Sequence, residues 1–244
     1  MENLTQLYAI NKFIILICSM EKYLNIKDSD ELFKVNNIYC VGKNYLEHIK
    51  EFGSEEKPEN PVIFLKPSSA IISNGGKVKI PVFSEKPISE NLHYECELVV
   101  AIGQDCYSIP EEKADEVIKG YAIGLDMTLR DLQSDLKAKG LPWTLSKGFY
   151  TSAPCSDIIP KENISNPMDL NIYLNVNNVR KQFVNTSLMI YNIYMLISYI
   201  SSIFYLQNGD LIFTGTPEGV GSVKMKDILE AGIENFINLK VGIE

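Results

Sequence analysis

"NLHYECELVVAIG", residues 91–103, begins with polar side chains and ends as an unbroken apolar run. Side chains alternate across a strand, so Glu95 and Glu97 share one face and Cys96 takes the other. Their Cα atoms stand roughly 7 Å apart at about 3.3 Å per residue. Two carboxylates that close repel each other, and burial makes the repulsion worse. A hard divalent cation removes the conflict, because carboxylate oxygens and waters are what Mg²⁺ or Mn²⁺ accepts. The plainer reading is an edge strand with a solvated Glu pair. A third acid tips the balance towards the cation. In "YAIGLDMTLRD" (121–131) an apolar strand ends on Asp126, so two strands ending in acids can converge on one ion.

The neighbouring segments read as more strand than helix. "NNIYCVG" (36–42), "PVIFLKP" (61–67) and "KVKIPVF" (77–83) are strand-like runs with proline or glycine punctuation. "LNIYLNVN" (170–177) and "VRKQFVN" (179–185) form a predicted hairpin across Asn177 and Asn178. "NGDLIFTGTPEGVG" (208–221) reads as a turn, a strand and a glycine-rich loop, and "ENFINLKV" (234–241) as a closing strand. Helices are expected over 43–52, early in 110–128, over 129–140 and over 190–204. Thr128 is the expected N-cap of the third and Gly140 its stop. The fourth is apolar all round, as a buried helix is. The fold class is therefore mostly β with some α. Strand and helix do not alternate regularly, which disfavours a doubly wound nucleotide fold. Residues 1–36 read as an N-terminal appendage, and 37–244 as one domain.

The chain has 244 residues, 45% hydrophobic and 22% charged. A core of that size needs no disulfide or structural metal. The net charge of -8 argues against nucleic acid as the main partner. Cys18, Cys40, Cys96, Cys106 and Cys155 are odd in number and contain no C-x-x-C, so buried thiols in a reducing compartment are expected. The apolar run "FIILIC" (13–18) is far too short to cross a membrane. The first 36 residues lack Arg and carry several acids, which disfavours mitochondrial import. The cytoplasm is the expected compartment and the mitochondrion the alternative.

His48 and Glu51 are i, i+3 on the first helix and share a face. A carboxylate beside an imidazole fixes its tautomer and raises its basicity, which suits a water-activating base. By itself such a pair is an ordinary surface contact. Lys66, Arg130, Gln133 and Lys147 are donors for an anionic substrate, although a solvated charge is the default for Lys66 and Arg130. Apolar and aromatic neighbours make burial the expectation for Lys147. "TGTPEGVG" (214–221) is either a plain turn or a backbone nest with the Thr216 hydroxyl turned to a substrate carboxylate. Trp143 reads as packing, and His93, two residues before Glu95, as structural or supporting the acids.

Taken in order, "CVGKNYLEHIKE", "PVIFLKPSSA", "NLHYECELVVAIG", "GYAIGLDMTLRDLQ", "KGLPWTLSKGF", "NTSLMI" and "GDLIFTGTPEGVG" resemble the fumarylacetoacetate hydrolase family from about Asn37 to Lys240. The likeness is greatest to its smaller members, the acylpyruvases and oxaloacetate decarboxylases built of the catalytic domain alone. The resemblance implies a rolled β-sheet of mixed roll or barrel form with few peripheral helices, and a homodimer. It implies Mg²⁺ or Mn²⁺ on Glu95, Glu97 and Asp126, and a His48–Glu51 dyad on a lid segment. It also implies a catalytic Lys147, with Lys66, Arg130, Gln133 and Thr216 lining the substrate site. Tyr94 departs from the family's frequent second histidine, Asn178 from its hairpin glycine and Gly148 from its frequent serine.

The expected activity is hydrolysis of the C–C bond of acylpyruvates to pyruvate and a carboxylate, with oxaloacetate decarboxylation at the same site. The alternatives are a related keto-acid lyase or isomerase, and a metal-stabilised binding module without turnover.

Overall fold

A computed structural model describes residues 22–51, 53 and 56–244. Its centre is a six-stranded sheet. The strand order is Ile159–Pro160, Ile118–Leu125, Cys96–Ile102, Leu211–Phe213, Ile38–Gly42 and Val62–Lys66. Cys96–Ile102 is buried at every position, as a central strand covered on both faces must be. It pairs antiparallel with Ile118–Leu125, Cys96 opposite Leu125 and Glu97 opposite Gly124. That register brings the start of one strand beside the end of the other. The Asp126 amide then donates to the Glu95 carbonyl at 2.8 Å. The three acids meet because two strands that enter the core from opposite directions share one edge of it.

A five-stranded sheet runs Val179–Asn185, Asn171–Val176, Ile228–Ile233, Ile237–Ile243 and Lys77–Val78, and a three-stranded one Thr128–Leu129, Leu92–Tyr94 and Gly221–Val223. Strands dominate and helices are few, as the sequence implies, but no sheet closes into a barrel. One apolar cluster, with Leu98, Val100, Ile123, Leu125, Leu174 and Ile197, packs between the sheets. A second covers the other face of the central sheet, and the Lys22–Asn25/Leu32–Val35 hairpin contributes Leu24 and Phe33 to it. The described part of the expected appendage is therefore packed on the core; the run at 13–18 and Cys18 lie outside the described residues.

Several local expectations need correction. The 77–83 run is two short strands, because Pro81 has no amide to continue a ladder. Thr128 does not cap the next helix: it pairs in a short strand with His93, and Leu129 precedes Arg130–Ala138 without a side-chain cap. Gly140, at φ +64, does end that helix region. The segment before Ile118–Leu125 is a 3-10 helix, Glu111–Val117. The Ile193–Ile203 helix buries one face, Ile193, Leu196, Ile197 and Ile200, and leaves Ile203 exposed. The predicted hairpin turn is present, with Asn177 and Asn178 both at positive φ.

Candidate active site

Glu95, Glu97 and Asp126 are buried, and each offers an oxygen within 4.8 Å of the others. They line a cavity of about 390 Å³ together with His48, Arg130, Gln133, Lys147 and Thr216. Glu51 stands behind His48, and Lys66 behind Asp126. The residues singled out in the sequence thus come from six separate stretches to one place.

The charges are unevenly shared. Lys147 Nζ bridges Glu95 Oε2 at 2.8 Å and Asp126 Oδ2 at 2.6 Å. Lys66 Nζ pairs with Asp126 Oδ1 at 2.8 Å and donates to the carbonyls of Met127 and Lys147. Its ammonium faces the back of Asp126, not the cavity. Arg130 pairs with Glu95 and donates to Gln133 Oε1 at 2.6 Å. Burial works against a charged Lys147, but Asp126 and Glu95 outweigh it and raise its pKa. Burial likewise opposes a charged Glu95, and Lys147 and Arg130 hold its pKa well below the usual value. Glu97 has the opposite fate. Burial, then Asp126 and Glu95, push its pKa well up. Among the described residues no cationic side chain pairs with it, and it accepts only the Gly215 amide, at 2.8 Å.

This donor set fits a hard divalent cation. Three converging carboxylates, one lacking a counter-ion, are what such an ion coordinates and what a protein without one would avoid burying.

His48 Nδ1 lies 3.3 Å from Glu51 Oε2. Burial lowers the pKa of the imidazole, against the upward pull of Glu95 and Glu51. The ring is thus disposed to be neutral near pH 7, as a base must be. Glu51 Oε1 accepts the Gly219 amide at 3.2 Å. The glycine-rich loop is a nest, but it cradles the protein's own carboxylates: Gly215 holds Glu97 and Gly219 holds Glu51. A Cβ at Gly215 would meet the Asn44 Cβ at 2.7 Å, and the residue sits at φ +98, so glycine is required there. The Thr216 hydroxyl lines the cavity but already donates to the Cys96 carbonyl and accepts from Gln182, both at 2.9 Å. Its proton is not available to a substrate. His93 stays outside the cavity; burial, then Arg130, lower its pKa to about 4.

Two positioning residues went unread in the sequence. Gln182 is buried and holds the Cys96 amide, Thr216 Oγ1 and the Pro217 carbonyl, so it fixes the loop to the acid strand. Its signal was a polar residue two before Val184, on the buried face of its strand. Asn44 is also buried. It ties the start of the His48 helix to the Thr214 carbonyl at 2.7 Å and to the Tyr191 backbone. Lys43, Ser134, Lys137 and Trp143 form much of the outer cavity wall and were likewise not assigned to it.

The chain matches the family described as fumarylacetoacetate (FAA) hydrolase C-terminal over residues 37–244. It is 46% identical over 208 residues to human "Oxaloacetate tautomerase FAHD1, mitochondrial", covering 85% of this chain and 91% of the relative. The Arabidopsis thaliana protein of the same name is 46% identical over 207 residues, covering 85% and 90%. The structure is similar to that of fumarylpyruvate hydrolase from Pseudomonas aeruginosa in complex with Mn²⁺ and pyruvate. The TM-score is 0.86 and the identity 37%, covering 91% of this chain and 95% of the other.

Proposed function

The chain belongs to the fumarylacetoacetate hydrolase family, and on that premise we propose an enzyme that forms and stabilises the enolate of a small 2-oxo acid. Its principal reaction in this reading is the keto–enol interconversion of oxaloacetate. The observation that carries it is the acid cluster at the floor of a cavity that also holds a neutral-disposed imidazole and an Arg. The relatives named as oxaloacetate tautomerases support oxaloacetate as the substrate.

Glu95, Glu97 and Asp126 would hold Mg²⁺ or Mn²⁺, which supplies Lewis-acid charge for the carboxylate and 2-oxo oxygens of the substrate. The residues of the chain do the rest. His48, held by Glu51, takes the proton from C3 of the keto acid and returns it to C3 in the reverse direction. Lys147 and Arg130 place positive charge beside the oxygen on which enolate charge collects. The His48 imidazolium then gives its proton, directly or through water, to that oxygen, which completes the enol and returns the neutral imidazole. Lys66 anchors Asp126, Gln133 orients the Arg130 guanidinium, and Thr216 shapes the wall.

A second reading is hydrolysis of acylpyruvates. It is favoured by the His48–Glu51 dyad and by the likeness to a fumarylpyruvate hydrolase. There His48 takes a proton from water, the hydroxide adds to the distal carbonyl and the C–C bond breaks. The pair of electrons leaves on the pyruvate enolate, which gains a proton to give pyruvate. Decarboxylation of oxaloacetate would use the same enolate without water. A metal-stabilised binder would need no such base.

The purified protein with Mg²⁺ or Mn²⁺, given oxaloacetate and acetylpyruvate, tests both readings. Accelerated loss of enol absorbance from enol-oxaloacetate, abolished by EDTA, is the expected result; pyruvate release from acetylpyruvate alone would make hydrolysis the function. No turnover of either would overturn both. The homodimer is carried as a proposal, testable by light scattering. No described helix is long and apolar enough to cross a membrane. The proposed compartment is the cytoplasm, with the mitochondrion, which the names of the relatives support, as the alternative; fractionation separates them.

A further inference from the structure

The Arg130–Ala138 helix lines the cavity with Arg130, Gln133, Ser134 and Lys137. These are i, i+3, i+4 and i+7, one face of a helix. The face begins at the acids, where Arg130 and Gln133 are mostly enclosed, and ends at the exposed Lys137 about 10 Å further along the axis. Lys137 Nζ lies over the Trp143 ring, 4.7 Å from its centroid, and Trp143 is also a wall of the cavity. Lys43, from the turn after Ile38–Gly42, is the other exposed lysine on the wall.

Among the described residues neither Lys43 nor Lys137 is paired with an acid, in a chain of net charge -8. The exposed lysines of the same helix region behave differently: Lys139 pairs with Asp135 at 2.7 Å. Partial burial, then Arg130 and Lys147, disfavour the charge on Lys137, and Lys43 adds to that repulsion. An anion beside Lys137 relieves it. The inner cavity already provides for one carboxylate and an adjacent carbonyl, so the outer lysines have nothing to do for a monocarboxylic substrate.

We propose that Lys137, with Lys43 beside it, receives the second carboxylate of a dicarboxylic 2-oxo acid and sets the preference of the site for such substrates. This rests on the keto-acid reading above. Trp143 keeps the Lys137 ammonium over the cavity by a cation–π contact, which limits the conformations lost on binding.

The test is calorimetry on the Mg²⁺-loaded protein with 2-oxovalerate and 2-oxoglutarate. These have equal carbon chains and differ by a methyl against a carboxylate. The wild type should bind 2-oxoglutarate about tenfold or more tightly, the scale of one charge-assisted hydrogen bond. Lys137→Met should remove that preference and leave 2-oxovalerate affinity unchanged, and Lys137→Arg should keep it. A preference that survives in Lys137→Met, or none in the wild type, overturns the inference while 2-oxovalerate binding leaves the keto-acid reading standing. Absence of Mg²⁺-dependent binding of either acid to the wild type overturns both.

Discussion

Glu97 and Asp126 lie side by side with unequal support: among the described residues Asp126 carries both Lys66 and Lys147, and Glu97 accepts only the Gly215 amide. Two acids of the cluster, Glu95 and Asp126, are thus balanced by cationic side chains, and the third is not.

Replacing that buried, titratable carboxyl should stabilise the metal-free protein at neutral pH. Glu97→Gln is expected to raise its stability by about 1–4 kcal/mol and to abolish the rise in Tm on adding Mg²⁺. The pH dependence follows from the raised pKa of Glu97. The native state holds a proton that the unfolded state has lost, so metal-free stability falls as pH rises above about 4.5, until the folded-state pKa is passed. Thermal melts with EDTA across pH, for wild type and variant, check this: the variant should lack that slope.

The His48–Glu51 pair predicts a split between rate and pH profile. His48→Gln should cut kcat by about 10²–10⁴, the usual worth of a positioned base. Glu51 raises the pKa of His48, so Glu51→Gln should move the acid limb of the kcat/KM profile to lower pH and lower the plateau. A limb that stays in place would assign the profile to another group.

His93 predicts a separate effect on stability. Its pKa of about 4 in the folded protein lies below the 6.5 of a free imidazole. The unfolded chain binds the extra proton between those values, so this residue makes stability rise with pH across that window. His93→Gln should remove that rising component from the metal-free protein, as read by the difference in urea midpoints from the wild type across pH.

Gln182→Ala should cost about 1–3 kcal/mol, because it strands the buried Cys96 amide, the Thr216 hydroxyl and the Pro217 carbonyl. Hydrogen exchange should speed up in 214–221 more than in the central sheet. Equal protection in both proteins would mean that the loop is held by other contacts.

The acid cluster was legible because a strand has a strict two-residue period: Glu95 and Glu97 could not face apart, and Asp126 followed a run too apolar to be an edge. The dyad was legible from helical spacing. What failed was local pattern overruled by pairing. Thr128 looks like a cap, yet the ladder to His93 claims its backbone. Ile228–Ile233 went unseen because Glu, Ala and Gly dilute its strand signal, and its place between Asn171–Val176 and Ile237–Ile243 supplies the missing preference. Lys137 and Lys43 drew no reading from the sequence, since only the folded chain shows which acids fail to reach them.

A backbone amide donor is lost to no substitution but proline. Because Gly215 and Gly219 hold the acid cluster and the base through amides of one loop, drift in side-chain identity does not uncouple the two. Only a change in the path of the loop does. Descendants of this chain can therefore diversify what enters the cavity by exchanging rim residues, while the reacting end is inherited whole or lost whole.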